Sequence, residues 1–194
     1  NQGYAIRHIN RRDIILIDVV EEETKAAVKK LVNDGYQIKG ILITCDGILE
    51  DAYADLKTIS EDANGAPIYA HPRNNFKDDF KTKDITTQAN DLKHFAIKVI
   101  DLPGNGGASV LVYSEINDGM VFPGDDAVGS NYDSDLNTFK RPEMKRENDD
   151  FGLAESWNAF TEEFTYFFPR KGKPAFNIDE GQQIDILNGL SRTK

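Results

Sequence analysis

Carboxylates cluster in two short stretches of this chain, Asp46-Gly47-Ile48-Leu49-Glu50-Asp51 and Asp125-Asp126, and each follows an apolar run. Oxygen ligands of that kind suit a hard cation such as magnesium or calcium, which makes Asp46, Glu50, Asp51, Asp125 and Asp126 candidate ligands. Cys45, the sole cysteine, adds a thiolate ligand or a nucleophile at the start of the first stretch. A plainer reading competes at each position. With 33 acidic residues against 23 Lys and Arg, carboxylates are abundant everywhere, and Asp125 could simply order its own loop by accepting backbone hydrogen bonds. An unpaired cysteine after a buried strand packs as a small hydrophobe, and no histidine lies near Cys45 in sequence to serve as its base. Of His8, His71 and His94, only His71, just after Ile68-Tyr69-Ala70, is placed to approach a pocket; a surface or satisfied histidine is the plainer reading.

These residues need elements to hold them. Tyr4 to Ile9 and Ile14 to Val19 read as neighbouring strands around a turn at residues 10–13. Glu21-Glu22-Glu23 then open a helix whose positive end favours carboxylates, and Gly35 sits where a left-handed cap ends it. Ile38 to Thr44 reads as a strand buried on both faces, Leu49 to Asp62 as a helix, and Ala66 to Ala70 as a short strand after an Asn64-Gly65 turn. Phe95 to Ile100, Ser109 to Ser114 and Met120 to Phe122 supply further strands. Residues 129–150 read as a polar loop with a short helix, Leu153 to Phe167 as an aromatic-rich helix, and Asp179 to Leu190 as a final one. Trp157, Phe160, Phe164, Phe167 and Phe168 recur at helical spacing and are core or interface packing residues before they are a ligand cage. Gly104, Gly106 and Gly107 resemble a phosphate-cradling loop only superficially, since no Lys-Ser/Thr pair follows.

At 194 residues, with 39% hydrophobic and 29% charged, the chain is long enough to bury a core without staples, and its composition is that of a globular domain. One domain over residues 1–194 is the expectation. A net charge of −10 disfavours nucleic acid and anionic membrane as partners. The basic clusters at 140–146 and 170–173 read as solvated faces. A lone cysteine gives no evidence of an oxidising compartment, and no run is apolar and long enough to span a bilayer. The default location is cytoplasmic, although a chain opening at Asn1 is compatible with a removed leader.

The order of four blocks carries a resemblance. Asp13-Ile14-Ile15-Leu16-Ile17-Asp18, the loop Ile41-Leu42-Ile43-Thr44-Cys45-Asp46-Gly47-Ile48-Leu49-Glu50-Asp51, Leu102-Pro103-Gly104-Asn105, and Phe122-Pro123-Gly124-Asp125 follow one another with helix-sized segments between them. This order resembles the metallo-β-lactamase fold superfamily, the glyoxalase II and lactonase-like hydrolases, over roughly Tyr4 to Gly172. The resemblance implies an α/β fold, a four-layer αβ/βα sandwich of two mixed β-sheets flanked by helices, lacking the family's first N-terminal strand. It places the family's ligand positions on Cys45, Gly47, Leu49, Glu50, Asn105, Asp125 and, through the turn Pro169-Arg170-Lys171-Gly172, on Lys171. Only Asp125 keeps the family ligand. Gly47 and Leu49 offer no donor atom to zinc, and the Asn105 amide is a weak ligand for a borderline-soft metal.

A degenerate member without a metal or other cofactor is therefore expected, acting as a module that binds a small molecule or a protein. The alternative is a hydrolase of thioesters, lactones or other small esters with an unorthodox site for one divalent ion, zinc or a hard cation, held by Cys45, Glu50 and Asp125. The loss of the metal leaves one physical demand. Drawn-in carboxylates such as Asp125 and Glu50 would repel one another, so a cation must join them. Lys171 is the expected partner of Asp125, with Arg170 and Lys173 as equal contenders.

Overall fold

Ile14, Ile15, Leu16 and Ile17 have nothing polar to offer solvent, and in the computed structural model they form a buried interior strand of a mixed five-stranded sheet. The structure describes residues 1–194 except 46–48, 75–80, 104–106, 136, 145–146 and 193–194 and the side chains of 49–53, 90 and 91. The chain divides into two compact units, Asn1–Ile97 and Lys98–Lys194.

In the first unit, β1 (Tyr4–Arg7) pairs antiparallel with β2 (Asp13–Ile17), while β3 (Gln37–Leu42), β4 (Ile68–Ala70) and β5 (Lys83–Asp84) continue the sheet in parallel. Parallel strands need crossovers, and α1 (Lys25–Asn33) and α2 (Leu49–Asp62) supply them. Val28, Leu56 and Ile59 on these helices bury against Ile14, Leu16, Ile38 and Ile41 of the sheet. The three glutamates open a single tight turn, Glu22–Thr24, before α1 begins. At the other end Gly35, at φ +84°, donates to the Val32 carbonyl while Tyr36 donates to that of Leu31. This pair of bonds closes the helix as a left-handed glycine cap does. A four-residue helix, α3 (Ile85–Gln88), and a 3₁₀ segment, Ala89–Phe95, end the unit; the expected strand from Phe95 begins only at Ile97.

The second unit carries a mixed four-stranded sheet in the order β11 (Tyr166–Phe167), β8 (Met120–Phe122), β7 (Val110–Ser114), β6 (Ile97–Asp101). A two-stranded ribbon, β9 (Val128–Gly129) with β10 (Phe139–Lys140), forms inside the stretch expected to be a loop. The helices α4 (Glu147–Asn158) and α5 (Glu180–Ser191) bury Leu153, Trp157, Ile186 and Leu190 in one core with Leu111, Val121 and Phe167. Asp179 caps α5, accepting from the Gln182 amide while the Gln182 side chain returns to the Asp179 amide, a reciprocal capping box. The aromatic helix expected over 153–167 is corrected: it starts earlier and stops at Asn158. The Thr165 and Tyr166 amides turn instead to the Gly119 carbonyl, so the chain runs alongside β8 as strand β11. Phe160, Phe164 and Phe167 still reach the core beside Trp157, from loop and strand rather than from a helix face. Among the described residues no helix is long and apolar enough to cross a membrane.

Candidate functional site

The end of β2 is locked to the end of β3 by one carboxylate. Asp18 leaves the strand with φ +52°, a left-handed conformation that aspartate tolerates better than most residues. Its amide donates to the Leu42 carbonyl at 2.9 Å. Its carboxylate accepts from the Thr44 amide at 2.9 Å and from the Thr44 hydroxyl at 2.7 Å. Both residues are buried, so these charge-assisted bonds act where water cannot replace them. Cys45 follows directly, buried in the apolar cluster that includes Ile43, Leu56 and Ala70. Leu49 and Glu50 stand in the first turn of α2. Gly47 and Asn105 lie outside the described residues, as does Asp46.

His71, directly after β4, is buried and satisfied: its Nδ1 accepts from the Arg73 amide at 3.1 Å. Nearby, burial alone would raise the Asp84 carboxyl. The Thr86 hydroxyl and amide, donating at 2.6 and 2.8 Å, together with Thr87, outweigh it and hold the group below its ordinary value. His94 is exposed, and His8 stands edge-on to Phe95 with ring centroids 6.0 Å apart.

In the second unit, Asp125 sits in the turn that follows β8. Gly124 takes φ +59°, and the Asp126 amide closes back on the Pro123 carbonyl at 3.0 Å. Asp126 is buried, its carbonyl accepting from the Trp157 indole at 3.3 Å. A second turn, 169–173, is laced against the first. The Arg170 amide donates to the Gly124 carbonyl at 3.0 Å and the Gly129 amide to the Lys171 carbonyl at 2.9 Å. This close approach requires glycine on both sides, because a Cβ on Gly172, at φ +82°, would stand 2.2 Å from the Gly129 carbonyl oxygen. Gly172→Ala should therefore lower stability by at least about 2 kcal/mol, combining steric overlap with left-handed strain. An urea-unfolding midpoint equal to that of the parent would contradict this.

The two turns bring Asp125 between two cations. Arg170 Nη1 lies 3.1 Å from Asp125 Oδ2, and Lys171 Nζ lies 3.2 Å from Asp125 Oδ1. Their burial separates them: the Arg170 side chain is 7% exposed and that of Asp125 17%, against 50% for Lys171. Lys173 goes elsewhere, donating to the Ser134 carbonyl at 2.9 Å. The 170–173 cluster is thus not a solvated face. In the 140–146 cluster Lys140 is exposed and Lys145 and Arg146 lie outside the described residues, but the Arg141 guanidinium holds the Asp150 carboxylate through two bonds of 2.9 Å and also donates to the carbonyls of Leu190 and Arg192.

At the positions that the resemblance assigns to metal ligands, Gly47 and Leu49 supply no ligand atom for zinc, and the Asp125 carboxylate faces two positive charges. Among the described residues no three His, Cys, Asp or Glu side chains gather as a metal-holding group. No catalytic step through a metal follows from this chemistry.

Solved structures decide the fold. The chain aligns over 97% of its length with 79% of ETHE1 from Myxococcus xanthus, at a TM-score of 0.60 and 14% identity. A metallo-β-lactamase from Staphylococcus aureus subsp. aureus COL aligns over the whole chain and 62% of its own length, at 0.61 and 14%. The chain has the metallo-β-lactamase fold. The same fold aligns with a chemotaxis sensor from T. denticola in its apo state, over 99% of this chain and 85% of that one, at 0.54 and 14%. No family model and no curated protein sequence matches the chain. Within the metallo-β-lactamase fold, Asp18 and Thr44 hold the β2 and β3 ends, and the Asp125 turn follows β8.

Proposed function

We propose that this chain is a non-catalytic, metal-free protein of the metallo-β-lactamase fold that binds a small molecule or a partner protein. One observation carries the reading: the carboxylate at the retained ligand position is neutralised by Arg170 and Lys171 at 3.1 and 3.2 Å. A zinc ion would have to displace two fixed positive charges to use it, and repulsion from them would lower its affinity. The similarity to a protein described as a chemotaxis sensor supports a binding role for this fold beside the hydrolytic one.

Metal content after purification without chelator, paired with a hydrolysis screen over thioesters, lactones and simple esters, tests it. The expected result is substoichiometric zinc and no turnover above that of Asp125→Ala. Stoichiometric zinc lost in Asp125→Ala, together with hydrolysis lost in the same variant without unfolding, would favour the alternative, a hydrolase with an unorthodox metal site.

A further inference from the structure

β1 is an outer strand of the five-stranded sheet, and among the described strands it pairs only with β2. In the antiparallel register Ile6 stands opposite Ile15, and the His8 amide donates to the Asp13 carbonyl at 2.9 Å. Ladder bonds of such a pair come from alternate residues. Tyr4, Ile6 and His8 therefore turn their backbone groups to β2, while the amides and carbonyls of Ala5 and Arg7 point away from the sheet. Both residues are exposed, and among the described residues those outward groups meet no partner. A free row of that kind is a template for another strand.

Charge selects the strand that fits. Arg7 stands opposite Ile14, which buries in the cluster beneath α1, so the Arg7 side chain lies on the helix-bearing face. There its guanidinium donates to the Tyr36 hydroxyl at 3.0 Å, with Cζ 5.9 Å from the centre of that ring. Arg12, from the turn between β1 and β2, reaches the same ring at 5.6 Å and donates to the Asp34 carbonyl. The Asp34 carboxylate itself is held by Lys30 at 2.6 Å. Among the described residues neither guanidinium has a carboxylate partner. Each keeps most of its N–H donors for another acceptor, and the shared aromatic ring steadies both planes. We propose that the β1 edge takes an extended acidic segment of a partner protein as an added strand, its carboxylates bound by Arg7 and Arg12. Strand addition draws affinity from the main chain and specificity from alternate side chains, and a guanidinium matches a carboxylate through two parallel bonds. A second copy of β1 would instead bring another set of the same cations to the edge, and like charges across a strand pair destabilise it. The surface belongs to the first unit, and its test is independent of the Asp125 turn.

The probe is a capped, fluorophore-labelled peptide of alternating glutamate and valine, titrated by anisotropy at low ionic strength. A lysine–valine peptide and a fully N-methylated form of the glutamate peptide run beside it. Saturable one-to-one binding of the unmethylated glutamate peptide alone is expected, weakening as salt is raised. Arg7→Gln and Arg12→Gln, both at exposed positions, should each weaken it by about tenfold, the loss of one charge-assisted pair. Lys57→Gln, an exposed lysine on α2, should leave it unchanged. Ala5→Pro removes an outward amide without taking a ladder bond and should weaken binding by a similar factor. Absence of saturable binding, or affinity unaltered in Arg7→Gln and Arg12→Gln alike, would overturn the acidic partner. Undiminished binding of the N-methylated peptide would overturn the added strand, whether or not Ala5→Pro folds. A dimer in sedimentation that Ala5→Pro dissociates would assign the edge to a second copy and overturn the proposal.

Discussion

Arg170→Met should destabilise the protein by about 3 to 5 kcal/mol, the cost of leaving a largely buried carboxylate without its buried partner. Lys171→Met should cost no more than about 1 kcal/mol, because the lysine is half exposed and water replaces much of what its ammonium gives. This inequality is the content of the prediction, and it reverses the weight that the turn alignment alone would place on Lys171. The Arg170→Met, Asp125→Leu double variant should recover much of the single loss, since the only charge left without its partner is the half-exposed Lys171 ammonium, which water solvates. Urea unfolding of the two singles and the double supplies the coupling energy. Small, equal and additive effects would mean that the pair does not hold the two turns together. Were zinc the physiological occupant, Arg170→Met should instead raise metal uptake at Asp125, which elemental analysis of that variant would detect.

Asp18→Ala should cost about 3 to 5 kcal/mol, since two hydrogen bonds to a buried carboxylate are lost and the Thr44 amide and hydroxyl are left without their acceptor. Alanine also suffers at φ +52°, where the left-handed backbone adds about 1 to 2 kcal/mol. Asp18→Asn separates the contributions. It keeps the shape, tolerates the left-handed backbone and can still accept from the Thr44 amide, so its loss should be roughly half that of alanine. Asparagine as damaging as alanine would show that the charge, not the geometry, holds the clamp. Hydrogen exchange at the Thr44 amide, expected to accelerate in both variants, gives a local readout besides the global melt.

Much of the scaffold was legible in the residues. Helix α2 spans Leu49 to Asp62 as its period implies, β8 spans Met120 to Phe122, and Gly35 caps α1. Such features depend on local propensity and on one strongly buried face, which neighbouring residues alone encode. The order of Asp18, Thr44 and Gly124-Asp125 likewise carried the metallo-β-lactamase fold. The aromatic stretch after Asn158 misled because its spacing suits a helix as well as a core. What turns the later part of that stretch into a strand is the distant Gly119 carbonyl, which captures the Thr165 and Tyr166 amides. No local pattern records a partner at that separation. The choice between Arg170 and Lys171 was equally closed to the sequence, since both are cations in one turn. It was decided by the facing glycines Gly129 and Gly172, whose close approach seats the turn so that the guanidinium is buried and the ammonium reaches water.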